Sequence, residues 1–129
     1  MTLQVKLVVP EGEVWSGHAT RVVAKTLEGD VGILTGHTPV LGVISAGSVV
    51  RILPVDAAGD AWIHAAVGGG FLSVADNRVS ILARQAILGG DVDKASARAD
   101  LEVAQASQSA ESAEASYLRA QLRAAGDEA

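Results

Sequence analysis

The stretch Ala86-Ile87-Leu88-Gly89-Gly90-Asp91-Val92-Asp93-Lys94-Ala95 separates two halves of the chain that are written in different patterns. Thirteen of the fourteen glycines and all three prolines precede Asp91, whereas the 39 residues from Asp91 onward hold twelve alanines, one glycine and no proline. Glycine and proline punctuate short elements, and a long Ala-rich, Gly-poor run favours helix. The chain therefore reads as a strand-rich part over residues 1–88 followed by a helical part over residues 89–129.

Upstream of the boundary, Leu3, Val5, Leu7 and Val9 alternate with Gln4, Lys6 and Val8, the period of a strand with one buried face. Similar short runs follow at Thr20 to Leu27, Val49 to Leu53, Trp62 to Val67, Phe71 to Val74 and Val79 to Ala83, with glycine-containing turns between them. No helical crossover intervenes, so neighbouring strands are expected to pair antiparallel in a sandwich or barrel. Downstream, Asp91 is placed to cap a helix whose apolar side comprises Val92, Ala95, Ala99 and Val103. Ser107, Gln108 and Ser109 interrupt the pattern. A second helix then carries one stripe of Ala110, Ala113, Tyr117, Ala120 and Ala124, and beside it another of Ala115, Leu118, Leu122 and Ala125, ending near Gly126. The fold class expected is α+β: an N-terminal antiparallel β-sandwich and a C-terminal α-helical hairpin. Small side chains remove little area from water, so the hairpin is expected to be only modestly held and detachable.

Composition narrows the functional classes. Ten Lys and Arg against fifteen Asp and Glu give a formal charge of −5, which repels a nucleic-acid backbone, and four aromatics (Trp15, Trp62, Phe71, Tyr117) supply no row of base-stacking platforms. The absence of cysteine removes disulfides, thiolate metal sites and cysteine nucleophiles. No run approaches the roughly 20 apolar residues that span a bilayer, and no export signal is read at the start. His18, His37 and His64 are widely separated and form no metal motif; His18 reads as a turn residue beside Gly17 and His64 as an outward strand residue. No catalytic constellation, Gly-x-Ser-x-Gly elbow or phosphate loop is present, and Gly68-Gly69-Gly70 leads into a strand, which favours a tight turn. Neither catalytic residues nor a cofactor is assigned.

The segment Glu28-Gly29-Asp30-Val31-Gly32-Ile33-Leu34-Thr35-Gly36-His37-Thr38-Pro39 is loop-rich, with an acidic tip suited to a rigid contact surface. It resembles the signature of the epsilon subunits of F-type ATP synthases, an acidic Gly turn followed by Gly-Ile-Leu and Gly-His-x-Pro. The flanks agree: Val14-Trp15-Ser16-Gly17 resembles the family's opening, and Gly69-Gly70-Phe71-Leu72 with Val74 resembles its Gly-Gly-Phe-Leu-x-Val strand. The resemblance implies a bacterial, non-catalytic rotor subunit of a proton-translocating enzyme. It would be peripheral on the cytoplasmic face of the cell membrane, with the gamma subunit, the c-ring and, transiently, the alpha/beta catalytic head as partners. By the same resemblance Glu28, Asp30 and His37 are the ring-facing candidates, although His37 is equally suited to stabilising its own turn.

The resemblance also implies a hairpin that can swing toward the catalytic head, with Arg119 and Arg123, four residues apart, as regulatory contacts or simply as a solvated face. Some family members bind ATP through an Ile/Leu-Asp-x-x-Arg-Ala motif. Here the corresponding run is Val92-Asp93-Lys94-Ala95-Ser96-Ala97, with serine at the arginine position. Arg98 lies about 200° round the helix from it. A nucleotide site at Asp93 and Arg98 is accordingly disfavoured, and Asp93 reads instead as a helix-capping or first-turn acid. The rival function is a free-standing nucleotide sensor with the hairpin as its clasp; a β-sandwich adaptor or sugar-binding module would want an aromatic platform that the chain lacks.

Overall fold

The computed structural model describes residues 2–55, 61–107 and 113–126. Among the described residues nine strands come first: β1 (Leu3–Val9), β2 (Gly12–Thr26), β3 (Gly29–Ile33), β4 (Val40–Ile44), β5 (Ser48–Pro54), β6 (Ile63–Val67), β7 (Gly70–Ala75), β8 (Arg78–Ala83) and β9 (Ala86–Leu88). A 3₁₀ turn at Gly89–Asp91 leads to the helices α1 (Lys94–Ser107) and α2 (Ala113–Ala124). The strands follow the order β1-β8-β7-β4-β2-β5-β6-β9, β3 pairs with β2, and β1 also pairs with β2, so the sheet folds back on itself as a sandwich.

The alternation in β1 faces Leu3, Val5 and Leu7 inward, where β8 sets Val79 opposite Val5 and Ile81 opposite Leu7. They join Val22, Ile33, Ile44, Val50, Ile52, Val67, Leu72 and Val74 in one buried core. Two polar side chains are buried with them and satisfied locally: Thr26 donates to the Gly29 carbonyl (2.9 Å) and Ser48 to the Ser45 carbonyl (2.8 Å).

The structure corrects four expectations. The sheet is not wholly antiparallel, because β1 runs parallel to β8; the long β2 pairs along one edge of β1 and leaves its other edge open to a strand from far along the chain. Within the loop-rich signature segment, Gly29–Ile33 form the strand β3. His18 lies within β2 rather than in a turn, opposite Gln4, with its ring Nδ1 2.9 Å from the Thr2 hydroxyl. Asp91 does not cap α1; it ends the 3₁₀ turn, and Asp93 is the capping residue, accepting the Ser96 amide at 3.1 Å. Finally, α1 buries Ala97, Leu101 and Ala104, with Val92 packed beside them, while Ala95 and Ala99 are exposed and Val103 is 66% exposed. Starting the helix two residues later leaves the 3.6 period intact but lets the larger Leu101 select the buried face.

In α2 both predicted stripes are used within the described residues. Ala115, Leu118 and Leu122 pack against α1. Tyr117, Ala120 and Ala124 pack on the sandwich, against Val49, Ala66 and Ile87. Of the other stripe members, Ala110 lies outside the described residues. The second contact is close: a Cβ on Gly89 would overlap the Ala124 carbonyl, and one on Gly47 would overlap Ser116. Glycine at these two positions lets the helix backbone rest directly on the sheet.

Candidate partner-binding face

The sandwich has two outer faces. On the β5-β6-β9 side the register aligns Val49 with Ala66 and Ala66 with Ile87, and this apolar row lies under α2. On the opposite side the register aligns Val8 with Leu82, Leu82 with Phe71, and Phe71 with Val43. Leu27 extends this row, its amide bonded to the Val43 carbonyl at 3.0 Å, and Leu41 stands one step along β4. Leu41 is 80% exposed, Leu27 72%, and Phe71 and Leu82 55% each. A shallow depression of about 620 Å³ between Val9, Pro10, Leu27, Phe71 and Leu82 lies at its end. Scattered apolar residues are ordinary on a surface; a contiguous row across four paired strands marks an interaction site.

The row was present in the sequence as Leu41-x-Val43, Phe71 and Leu82. Its detection required the register, because each residue alternates with a core residue on its own strand and reads alone as part of a hydrophobic run.

The ring-facing candidates are spread along β3. Glu28 sits in the β2–β3 turn and Asp30 is the second residue of β3, both exposed, while His37 is half-buried in the loop that follows the strand. Thr26 supports the turn by accepting the Glu28 amide at 3.2 Å while donating to the Gly29 carbonyl. The His37 ring donates through Nδ1 to the Thr38 carbonyl at 2.7 Å, since a carbonyl can only accept. The loop is tied down by Asn77, whose side-chain oxygen accepts the Gly36 amide at 2.6 Å and whose carbonyl accepts the Gln4 amide at 2.8 Å.

On the helices, Asp93 and Arg98 are exposed near the start of α1. The Asp93 carboxyl is held below its usual value by its hydrogen bonds to Ser96, so it acts as a capping anion. Arg123 donates to the Gly47 carbonyl at 2.8 Å, joining α2 to the β4–β5 turn, and Arg119 is half-buried one helical turn earlier. Tyr117, partly buried at the same junction, has its phenol pushed above the ordinary value by burial.

A sandwich with one outer face covered by its own helices and the other left apolar defines the class of β-sandwich subunits that carry an appended helical hairpin. The model of the ATP synthase delta/epsilon chain beta-sandwich domain matches residues 2–89. An ATP synthase epsilon chain of Thermobifida fusca is 49% identical over 104 residues, covering 80% of this chain and 74% of the relative. Another from Streptomyces avermitilis is 44% identical over 104 residues, 81% of each. A shorter epsilon chain of Frankia casuarinae is 49% identical over 88 residues, 68% of this chain and 99% of its own length. The fold is shared with a chain of the Euglena gracilis mitochondrial ATP synthase OSCP/F1/c-ring structure, at TM-score 0.69 and 22% identity over 94% of this chain and 75% of that one. It is shared also with one from the Tetrahymena thermophila mitochondrial ATP synthase central stalk and c-ring, at TM-score 0.54 and 23% identity over 78% and 72%. The chain belongs to the ATP synthase delta/epsilon family as an epsilon chain, a subunit of an enzyme complex.

Proposed function

We propose that the chain is a non-catalytic central-stalk rotor subunit that couples rotation of the c-ring to the catalytic head, catalysis itself residing on other subunits. The observation that carries this reading is the uncovered apolar row Val8, Leu82, Phe71 and Val43 with Leu27 and Leu41, which is suited to packing on the gamma subunit. Burying a Val, Leu or Phe side chain is worth about 1.5–3 kcal/mol, so six such residues supply a stable joint after the cost of association is met. A densely packed sandwich deforms little, as torque transmission requires.

In this reading Glu28, Asp30 and His37 face the polar loops of the c-ring from braced backbone, and Arg119 and Arg123 engage the alpha/beta head when the hairpin leaves the sandwich. The chain sits on the cytoplasmic face of the cell membrane as a peripheral part of a proton-translocating complex. Among the described residues no helix is long and apolar enough to cross a membrane. No regulatory ATP is assigned, because the Asp93 carboxyl is committed to the Ser96 amide.

The test is affinity purification of the tagged chain from gently solubilised membranes of its own source. Gamma, the catalytic subunits and the c-ring should arrive at fixed stoichiometry. Recovery of the chain alone across mild detergents, together with saturable ATP binding, would replace the rotor reading with that of a free nucleotide sensor.

A further inference from the structure

The strands that carry the open apolar row carry a second feature two residues further along. On the same outward side, the register sets His18, Gln4 and Arg78 in one row across β2, β1 and β8, and Ser16, Lys6 and Ser80 in the next. Adjacent strands are about 4.8 Å apart and successive outward residues about 6.7 Å apart, so the six side chains tile a patch that adjoins Val8 and Leu82 directly. Five of the six are exposed and Ser80 is half-buried. Together they line a shallow groove of about 490 Å³.

Two of these side chains are cationic, one is an imidazole, two are hydroxyls and one is an amide; none is acidic. In a chain of net charge −5 that is a local reversal of sign. The nearest acids on these strands lie outside the rows, Glu13 opposite Val8 beyond the bulge in the β1–β2 pairing and Asp76 in the β7–β8 turn. Among the described residues no carboxylate is paired with Lys6 or Arg78. The strands beneath are fixed by the core, so the donors are presented on rigid backbone.

We infer that the two rows form an anion-recognising band that receives carboxylates of the same polypeptide that covers the apolar row, orienting it on the sandwich. This rests on the partner-binding reading of the apolar row. The groove is open and its donors are distributed, which suits two or more carboxylates rather than one enclosed phosphate. Lys6 and Arg78 are diagonal neighbours on adjacent strands, about 8 Å apart at the backbone, so their long side chains can reach two carboxylates on one partner segment. Arg78 offers a planar fork and Lys6 a point charge, and the hydroxyls and amide add neutral donors. Continuity between apolar row and basic band gives one partner segment an anchor and a registering edge, the arrangement in which charge sets orientation and encounter rate more than total affinity.

The experiment measures binding of the full chain to purified gamma subunit by biolayer interferometry, from about 50 to about 500 mM salt. The double variant Lys6→Gln, Arg78→Gln should slow association about tenfold at low salt and flatten its salt dependence, with dissociation changed less. The charge-keeping pair Lys6→Arg, Arg78→Lys should retain most of the parent's association rate. Parent-like association and salt slope in the neutralised variant overturn the band. The variant Phe71→Ser separates the two readings: if it abolishes binding while the neutralised variant behaves as the parent, only the band fails, and if it too binds as the parent, the apolar-row reading fails with it. All substituted positions are exposed, and an unchanged far-UV spectrum verifies folding in each case.

Discussion

The two outer faces of the sandwich carry apolar rows of similar construction and opposite fates. Val49, Ala66 and Ile87 are covered by the chain's own α2, through small residues and backbone. On the other face Leu82, Phe71 and Val43 are exposed, Val8 beside them is half-buried, and nothing in the described chain covers them. Alanine against alanine permits close approach but yields little energy per residue, which is what a reversible internal lid requires. Leucine and phenylalanine yield several times more, which is what a permanent joint to another subunit requires. On the proposed function, this difference suits a covered face that can be released and an open face that stays joined to a partner.

The largest expected effect would break this comparison on the open face. Leu41→Ser with Phe71→Ser should weaken binding to the gamma subunit by two orders of magnitude or more, at about 2 kcal/mol for each buried anchor, while leaving the isolated chain's stability within about 0.5 kcal/mol. A large drop in melting temperature would show instead that the row belongs to the fold. On the covered face, Ala120→Phe has no room against Ala66 and should cost about 1–3 kcal/mol of docking. Amide exchange should then accelerate across α2 and not across the core strands; equal protection in variant and parent would mean that the hairpin is not held by this row.

Arg123→Ala removes the bond to the Gly47 carbonyl, an exposed interaction worth about 1 kcal/mol at most, and should raise exchange in α2 only slightly. The smallest effect is confined to alkaline pH. Tyr117 has its pKa raised by burial, so the docked state holds the phenolic proton more tightly than the free hairpin does. Docking is therefore intact below the free-phenol value near 10 and weakens as pH rises through the docked value. Comparing exchange in α2 at pH 8 and above about 10 should reveal this loss in the parent and not in Tyr117→Phe.

Much of the architecture was legible from local pattern. The change at Gly89-Gly90, the alternation from Leu3 to Val9 and the two stripes of α2 correspond to real elements because each expresses a backbone period over several residues. The helix cap was legible to within two residues: Asp91 reads as the cap and Asp93 as a capping or first-turn acid, and it is Asp93 that accepts the Ser96 amide. What was misread depended on distance in sequence. Parallel pairing of β1 with β8 joins residues more than seventy positions apart, and no local signal announces it. The buried face of α1 was assigned to Val92, Ala95, Ala99 and Val103 because alanine marks no face; only packing against Leu118 and Leu122 selects Ala97, Leu101 and Ala104. The ring-facing candidates came from motif likeness, and the structure places Glu28 and His37 on opposite sides of β3 in the chain.

The sequence by itself determined the family, the two-part organisation and the acidic turn of the signature, because these reside in contiguous residues and short periods. Only the tertiary structure decided which apolar residues are core, which lie under the hairpin and which remain open, and it alone assembled the basic rows beside them. The physical reason is that a strand residue's outward neighbours belong to other strands: Lys6 meets Ser80 and Phe71 meets Val43 through register, which is set by the whole sheet.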